Sequence, residues 1–444
     1  MIHILQSYGL GWWVAAFALL LLWPAHNVVL AAFAWWRPRL DLDGVDQLPA
    51  LQFWIIIPAL NEERVVAATV ISALALHSVR TPVRVLVVDD GSTDTTPEIL
   101  ASIDDFRLHV LRRDPPDAQK GKGEALNAGY RYVRDLAARE GSVGKTVVGV
   151  IDGDGRGAPD MLLKVAAFFA DDSVGAVQCQ VRIHNRRTLL GFLQDIEFSC
   201  VADASQRLRD VVGSVGLGGN GQFIRLTELT YFGDRPWSRC LVEDLELGLR
   251  LHLAGVRVRY ATSAVITQQG LVDTRRLIRQ RARWGQGNLQ CLRYMSQLIG
   301  SHKIPTFALL DFTYYLLAPW FMVPMTVSIL SLLVLAAYGW AVDDTLGGLV
   351  AIRNDLASAL YAWFCALMGP GLLWGLVHRL RLGDEPLRRT LLAGLAYPAF
   401  MIIGAVAAWR AMGRHLSHRH GWIKTERLRD EVAQVLPKTG RTAE

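Results

Sequence analysis

Close cysteine pairs are missing from this sequence. Its five cysteines, at 179, 200, 240, 291 and 365, show no C-x-x-C or similar spacing. That excludes a disulfide framework and a cysteine-based zinc site, and it suits a soluble part facing a reducing compartment. Lys and Arg are absent before Arg37 and again over residues 341–352. Charge is sparse, at 20% of residues, yet still too frequent for a chain lying wholly within a bilayer. No internal repeat and no low-complexity tract occurs, so the chain is a set of distinct domains and not an array.

Apolar residues, by contrast, are abundant. They make up 51% of the 444 residues, and the mean hydropathy is +0.23. Such a length suggests two or three units, and the mixture suggests a soluble domain joined to spanning helices. The net charge of +6, from 47 basic and 41 acidic residues, fits cytoplasmic membrane flanks or an anionic substrate equally well. Residues 10–36 form an apolar stretch long enough to span. Arg37 and Arg39 follow it at once, which predicts that the next domain faces the cytoplasm. The stretch is longer than a signal peptide, and no basic segment precedes it.

From about residue 50 to 300, short apolar runs alternate with helical patterns. Phe53–Pro58, Val83–Val88, Phe106–Leu111 and Val147–Ile151 read as strands. Strand and helix alternation predicts βαβ units and a mainly parallel sheet. After Gly300 the chain turns apolar. Residues 304–316 read as an interfacial helix, and spans are predicted to about Tyr338, over Leu356–Val377 and over Leu391–Trp409. The last has basic flanks on both sides, so it either crosses or dips in and returns. The divisions are therefore 1–45, an amino-terminal span; 46–300, a cytoplasmic catalytic unit; 301–412, an interfacial helix and about three membrane segments; and 413–444, a basic tail.

Polar residues gather where the apolar runs end, the place where parallel sheets bind ligands. Asn61 and Glu62 follow the first run, and Asp89 and Asp90 the second. Acids there can accept hydrogen bonds from a nucleotide base and ribose, though Thr93 or Asp94 alone would be ordinary helix caps. Gly121-Lys122-Gly123 offers close backbone approach and one cation, as a diphosphate or a plain surface loop would use. Asp152-Gly153-Asp154 ends the run at Val147–Ile151. Two carboxylates there can hold Mg²⁺ or Mn²⁺ beside a phosphate, or simply cap a turn. Gly219, Asn220 and Gly221 form a small-residue cluster that admits close approach or makes a tight turn. Glu243 and Asp244 open a helix, where acids suit the dipole and where one could act as a general base. Gln280, Arg283 and Trp284 share one helical side within a basic run that can meet lipid headgroups or a leaving diphosphate.

In order, the chain carries IPALNEE, VVDDGSTDTT, GKGEALNAG, DGD, a glycine-rich segment, LVEDLELGLRL and QRARW. This set resembles the membrane-integrated family 2 glycosyltransferases, such as hyaluronan, chitooligosaccharide, poly-N-acetylglucosamine and cellulose synthases. The resemblance covers about residues 50 to 290. It implies an α/β GT-A fold inserted between transmembrane helices, a nucleotide-sugar donor, usually a UDP-sugar, and Mg²⁺ or Mn²⁺. By the same resemblance Asp90 binds uridine, and Lys122 lies near the nucleotide. Asp152 and Asp154 form the D-x-D pair, with the metal chiefly on Asp154. Asp244, next to Glu243, is the general base. Arg283 faces the diphosphate, and Trp284 lies near the acceptor sugar. The centre of D-x-D, Gly153, counts as a permissive position. The segment GGNGQF differs from its counterparts in hyaluronan and cellulose synthases, so no product carries over.

The reading is an inverting glycosyltransferase of a bacterial-type plasma membrane. The Q-x-x-R-W residues and the carboxy-terminal spans favour processive transfer from a UDP-sugar to a growing polysaccharide chain, coupled to its secretion; the alternative is a single addition to a lipid. Nucleic acid is not an expected partner. A non-catalytic scaffold or transporter is the remaining class, and the acids at 90, 152, 154 and 244 argue against it.

Overall fold

A computed structural model describes residues 24–36, 48–341, 356–417 and 428. Its centre is an eight-stranded sheet, made of β1 (Gln52–Ala59), β2 (Arg84–Asp89), β3 (Leu108–Arg112), β4 (Thr146–Val150), β5 (Arg156–Gly157), β6 (Val174–Ile183), β7 (Gln222–Arg225) and β8 (Arg257–Gln268). The order is β3-β2-β1-β4-β7-β6-β8-β5. Strands β3, β2, β1 and β4 run parallel, as do β6 and β8. Strand β7 is antiparallel to both its neighbours, and β5 to β8. The four sequence-predicted strands are present with ends shifted by one or two residues. The antiparallel half carries weaker apolar runs.

Alternation along each strand sends side chains to opposite faces. Phe53, Ile55, Ile57, Val85 and Val87 enter one core, and Trp54, Ile56, Leu86 and Val88 enter the other. Both faces are covered, which is why these strands read as continuous apolar runs. The first helix, α1 (Pro24–Phe33), precedes the sheet. Helices α2 (Val66–Leu74) and α5 (Met161–Phe168) line the first core, and a short α3 (Thr96–Ala101) lies between them in sequence. Helices α4 (Lys122–Arg139) and α9 (Glu243–Ala254) line the second. A π-helical turn, Glu197–Ala202, joins α6 (Leu189–Ile196) to α7 (Asp203–Val212). Helix α8 (Leu226–Thr230) follows β7, α10 (Thr274–Cys291) follows β8, and α11 (Met295–Gly300) leads to the apolar end.

That end comprises α12 (Thr306–Ala341), α13 (Leu356–Arg381) and α14 (Leu387–Leu416). Helix α12 is unbroken where an interfacial helix and a separate span are predicted. Helix α14 also runs unbroken through Pro398, so no return turn lies within it. By length and composition it is the single helix among the described residues fit to cross a membrane. Part of the amino-terminal stretch, the loop over residues 342–355 and nearly all of the tail lie outside the described residues.

A shared core of Leu30, Phe192, Ile196, Trp374, Val377 and Tyr397 joins α1, α6, α13 and α14. Helices α13 and α14 touch backbone to backbone: a Cβ on Gly371 would lie 2.2 Å from the Gly394 carbonyl oxygen. Fully buried Asp195 accepts from Arg182 at 3.1 Å and Arg186 at 3.0 Å, and lies 3.3 Å from Nε2 of His378 on α13. Burial works against its charge, but His378 and Arg182 win and hold its carboxyl well below the usual range. Arg381 pairs with Asp203 at 2.8 Å. Such pairs cost much when one partner is removed, so they fix α13 against the sheet domain.

Candidate active site

The strand order reverses direction between β1 and β4, and a parallel sheet leaves its ligand crevice at that point, outside the carboxyl ends of the strands. Four loops converge there. Lys122 opens α4, and its Nζ lies 2.6 Å from Asp152 Oδ1 and 3.3 Å from Glu243 Oε1. A Cβ on Gly219 would stand 2.6 Å from that Nζ, 3.1 Å from Asp244 Oδ2 and 3.5 Å from Asp152 Oδ2. Residues from the end of β4, the start of β7 and the first turns of α4 and α9 thus meet around one cation. Burial works against the Lys122 charge, but Asp152, Glu243 and Asp244 outweigh it and raise its pKa.

Asp244 is pushed up to about 7, first by burial and then by the charge of Glu243, with Lys122 pulling the other way. Its Oδ1 accepts the Leu245 N–H at 2.8 Å. A carboxyl held near neutrality can take a proton and release it at working pH. Glu243 is 8% exposed and turned toward Lys122.

The two acids after β2 divide the work. Asp89 accepts the Ser92 N–H at 2.9 Å and Arg112 Nη1 at 2.6 Å, so it holds its own turn. Asp90 lines the cavity and pairs with Arg113 Nη1 at 2.5 Å. Burial raises its pKa against the pull of Arg113. Arg113 escapes sequence reading because an Arg pair closing a strand does not say which acid either one meets. Asn61 stands at φ 52°, with its Oδ1 accepting the Thr93 N–H at 2.8 Å, and it ties the β1 loop to the β2 loop outside the cavity lining. Glu62 does line the cavity. Its Cδ lies 3.1 Å from where a Gly153 Cβ would be. The centre of D-x-D is therefore tighter here than the permissive position expected from the sequence.

Asp152 faces the cavity, whereas Asp154 is 3% exposed and accepts the Gln269 N–H at 3.0 Å. Among the described residues no three His, Cys, Asp or Glu side chains form a cation cage. Gln269 also pairs twice, at 3.0 Å each way, with the Leu428 backbone, which brings Leu428 near this turn. Asn220 Oδ1 accepts the Asp152 N–H at 3.3 Å, and its Nδ2 donates to Gln268 Oε1 at 3.1 Å. Asn220 thus braces D-x-D from the cavity wall. Gly221, at φ +75°, packs on Ile266 and Cys179 and makes the tight turn into β7.

Gln280, Arg283 and Trp284 on α10 all line the cavity. The residue between them, Arg281, turns aside to Glu197 on the π-helical turn, at 2.5 Å, and stacks 4.6 Å from the Trp284 ring centre. Phe198 meets Trp284 edge-on at 6.4 Å. Glu197 and Phe198 are cavity-lining residues that sequence reading misses, because a π turn has no apolar period of its own.

The cavity holds about 640 Å³. Its lining includes the acid and lysine cluster together with Leu30 of α1, Phe312 and Tyr315 of α12, and Tyr397 and Met401 of α14. Charged groups able to meet a phosphate and a carboxyl able to take a proton thus share a chamber with the apolar helices.

Residues 49–287 match the model of a family described as "Glycosyltransferase like family 2". The chain is 33% identical over 245 residues to a beta-monoglucosyldiacylglycerol synthase of Nostoc sp., covering 54% of this chain and 49% of that one. It is 28% identical over 258 residues to a poly-beta-1,6-N-acetyl-D-glucosamine synthase of Staphylococcus aureus, covering 56% and 57%. The chain spans about half the length of these curated relatives. A solved mannosyltransferase, PcManGT from Pyrobaculum calidifontis in complex with GDP-Man and Mn²⁺, matches with a TM-score of 0.58 at 19% identity, covering 94% of this chain and 99% of that one. It shares the GT-A-like α/β fold. With the family model spanning more than half its length, the chain belongs to glycosyltransferase family 2.

Proposed function

We propose that this protein transfers a hexose, with inversion, from a UDP-sugar to a single hydroxyl of a lipid held at the membrane. The observation that carries the reading is the shared cavity: the Lys122, Asp152 and Asp244 cluster and residues of α1, α12 and α14 line one chamber. The beta-monoglucosyldiacylglycerol synthases among the relatives support a lipid acceptor.

Asp90 and Glu62 would take the uracil and ribose side of the donor, since both line the cavity beside β1 and β2. Lys122 and Arg283 would hold the diphosphate and neutralise charge as it leaves. Asp244, its charged form disfavoured by burial and Glu243, would remove the acceptor proton as the hydroxyl attacks from the face opposite the nucleotide. Glu243 keeps that carboxyl basic. Trp284 and Gly219 leave room for the acceptor beside it. Asp152 and Asp154 carry hard carboxylate oxygens, a donor set that fits Mg²⁺ or Mn²⁺ with the rest of the shell from phosphate and water. When bound, such an ion supplies Lewis acidity to the departing diphosphate. Helix α14 would anchor the protein in a plasma membrane, with the sheet domain on the cytoplasmic side.

A second reading, processive polysaccharide synthesis, is favoured by the Q-x-x-R-W residues and by the poly-N-acetylglucosamine synthase relative. Full-length protein in lipid vesicles, offered a panel of UDP-sugars, separates the two by product mass. One hexose on a lipid supports the first reading, and a ladder of sugars the second. No UDP release with any donor overturns both.

A further inference from the structure

Asp311 is the one acid of α12. An acid in a long apolar helix faces a protein partner or a polar cavity, and Asp311 does both. Its Oδ2 accepts Arg209 Nε at 2.9 Å and Ser214 Oγ at 2.9 Å. The Arg209 guanidinium lies over Tyr315, 4.4 Å from the ring centre. Both charged side chains line the cavity, at 13% and 19% exposed. Among the described residues the Nη groups of Arg209 and Oδ1 of Asp311 have no hydrogen-bond partner, so a fork of donors and one acceptor remain for a ligand. Tyr315 packs into one cluster with Val242 and Leu245, which flank Glu243 and Asp244, and this puts the pair near the proposed base.

We propose that Arg209 and Asp311 form a subsite for an uncharged, oxygen-rich lipid headgroup, holding it beside Asp244 and selecting it over an anionic phospholipid. This rests on the lipid-acceptor reading above. The pair is neutral as a unit, so it offers no net attraction to phosphate. Asp311, Glu243 and Asp244 would all repel one. A hydroxyl suits the pair, because it can donate to Asp311 and accept from Arg209 together, and an ester carbonyl can take the second Nη. Held in place on Tyr315, the guanidinium is pre-oriented and loses little freedom on binding.

The test measures binding and not turnover, so it stands apart from the transfer reaction. Full-length protein in detergent is titrated with dioleoylglycerol, dioleoylphosphatidylglycerol or cellotetraose, and bound ligand is counted by native mass spectrometry. Dioleoylglycerol should bind best. Arg209→Lys, which keeps the charge but loses the fork and the stack, should weaken it about tenfold or more, the scale of one charge-assisted hydrogen bond. Asp311→Asn should raise phosphatidylglycerol binding, a gain that misfolding cannot produce. Equal binding of the two lipids by the wild type, preference for cellotetraose, or unchanged binding in both variants overturns the subsite. Bound dioleoylglycerol with no UDP release would sink the proposed activity and leave the subsite standing.

Discussion

Lys122 Nζ lies 2.6 Å from Asp152 Oδ1, although the two residues come from the start of a helix and the end of a strand. The same ammonium reaches Glu243. It is a cation at the meeting point of three acids, and it lowers the pKa of Asp244 against burial and Glu243. Lys122→Met should weaken UDP binding by about 10- to 100-fold, the loss expected when a charged partner is taken from a buried site. Calorimetric titration with UDP checks this.

Asp244→Asn should lower transfer by about 10²- to 10⁴-fold, the usual contribution of a general base, while UDP binding changes little. UDP-release kinetics and a UDP titration on the same variant read the two effects. Near wild-type transfer would remove Asp244 from its role.

Because the Asp244 pKa is raised to about 7, its base form appears only as pH rises through that value, and kcat/KM should climb with it. The folded state also binds this proton more tightly than the unfolded chain. The stability it contributes is therefore full at acid pH and is lost as pH rises from about 4 toward 7. Glu243→Gln removes the neighbouring charge and should shift the rate profile to lower pH. A profile unmoved by that change would break the link between the two acids.

Gly219→Ala should leave the fold intact and damage transfer. The backbone there is unstrained, but the new methyl would fall 2.6 Å from Lys122 Nζ and crowd Asp244. Thermal melting should be nearly unchanged and UDP release much reduced.

Asp195→Ala tests the junction between sheet domain and apolar helices. It takes the fully buried partner from Arg182, Arg186 and His378, leaving the two arginines their pairs with Asp384 and Glu385, and removing one partner of a buried pair costs about 3–5 kcal/mol. A large fall in melting temperature is expected, with the donor-side residues untouched.

The parallel half of the sheet was legible because Trp54–Ile57 and Leu86–Val88 are buried on both faces and so read as unbroken apolar runs. The convergence of Lys122, Asp152 and Asp244 was legible only as an ordered set of motifs, since spacing along the chain carries no distance in space. Asp89 and Asp90 look alike in sequence. Their different tasks depend on Arg112 and Arg113 arriving from β3. Glu197 and Phe198 stayed hidden because the π turn breaks the helical period that would have pointed them inward. Arg209 and Asp311 are 102 positions apart, and nothing in either neighbourhood announces the other.

Gln269 holds Asp154 through its backbone and holds Leu428 through its side chain. The last two hydrogen bonds around the D-x-D turn therefore form only after residue 428 has been synthesised. By then α12, α13 and α14 have all been synthesised. The surroundings of the D-x-D turn are thus completed last, after the apolar helices have been made.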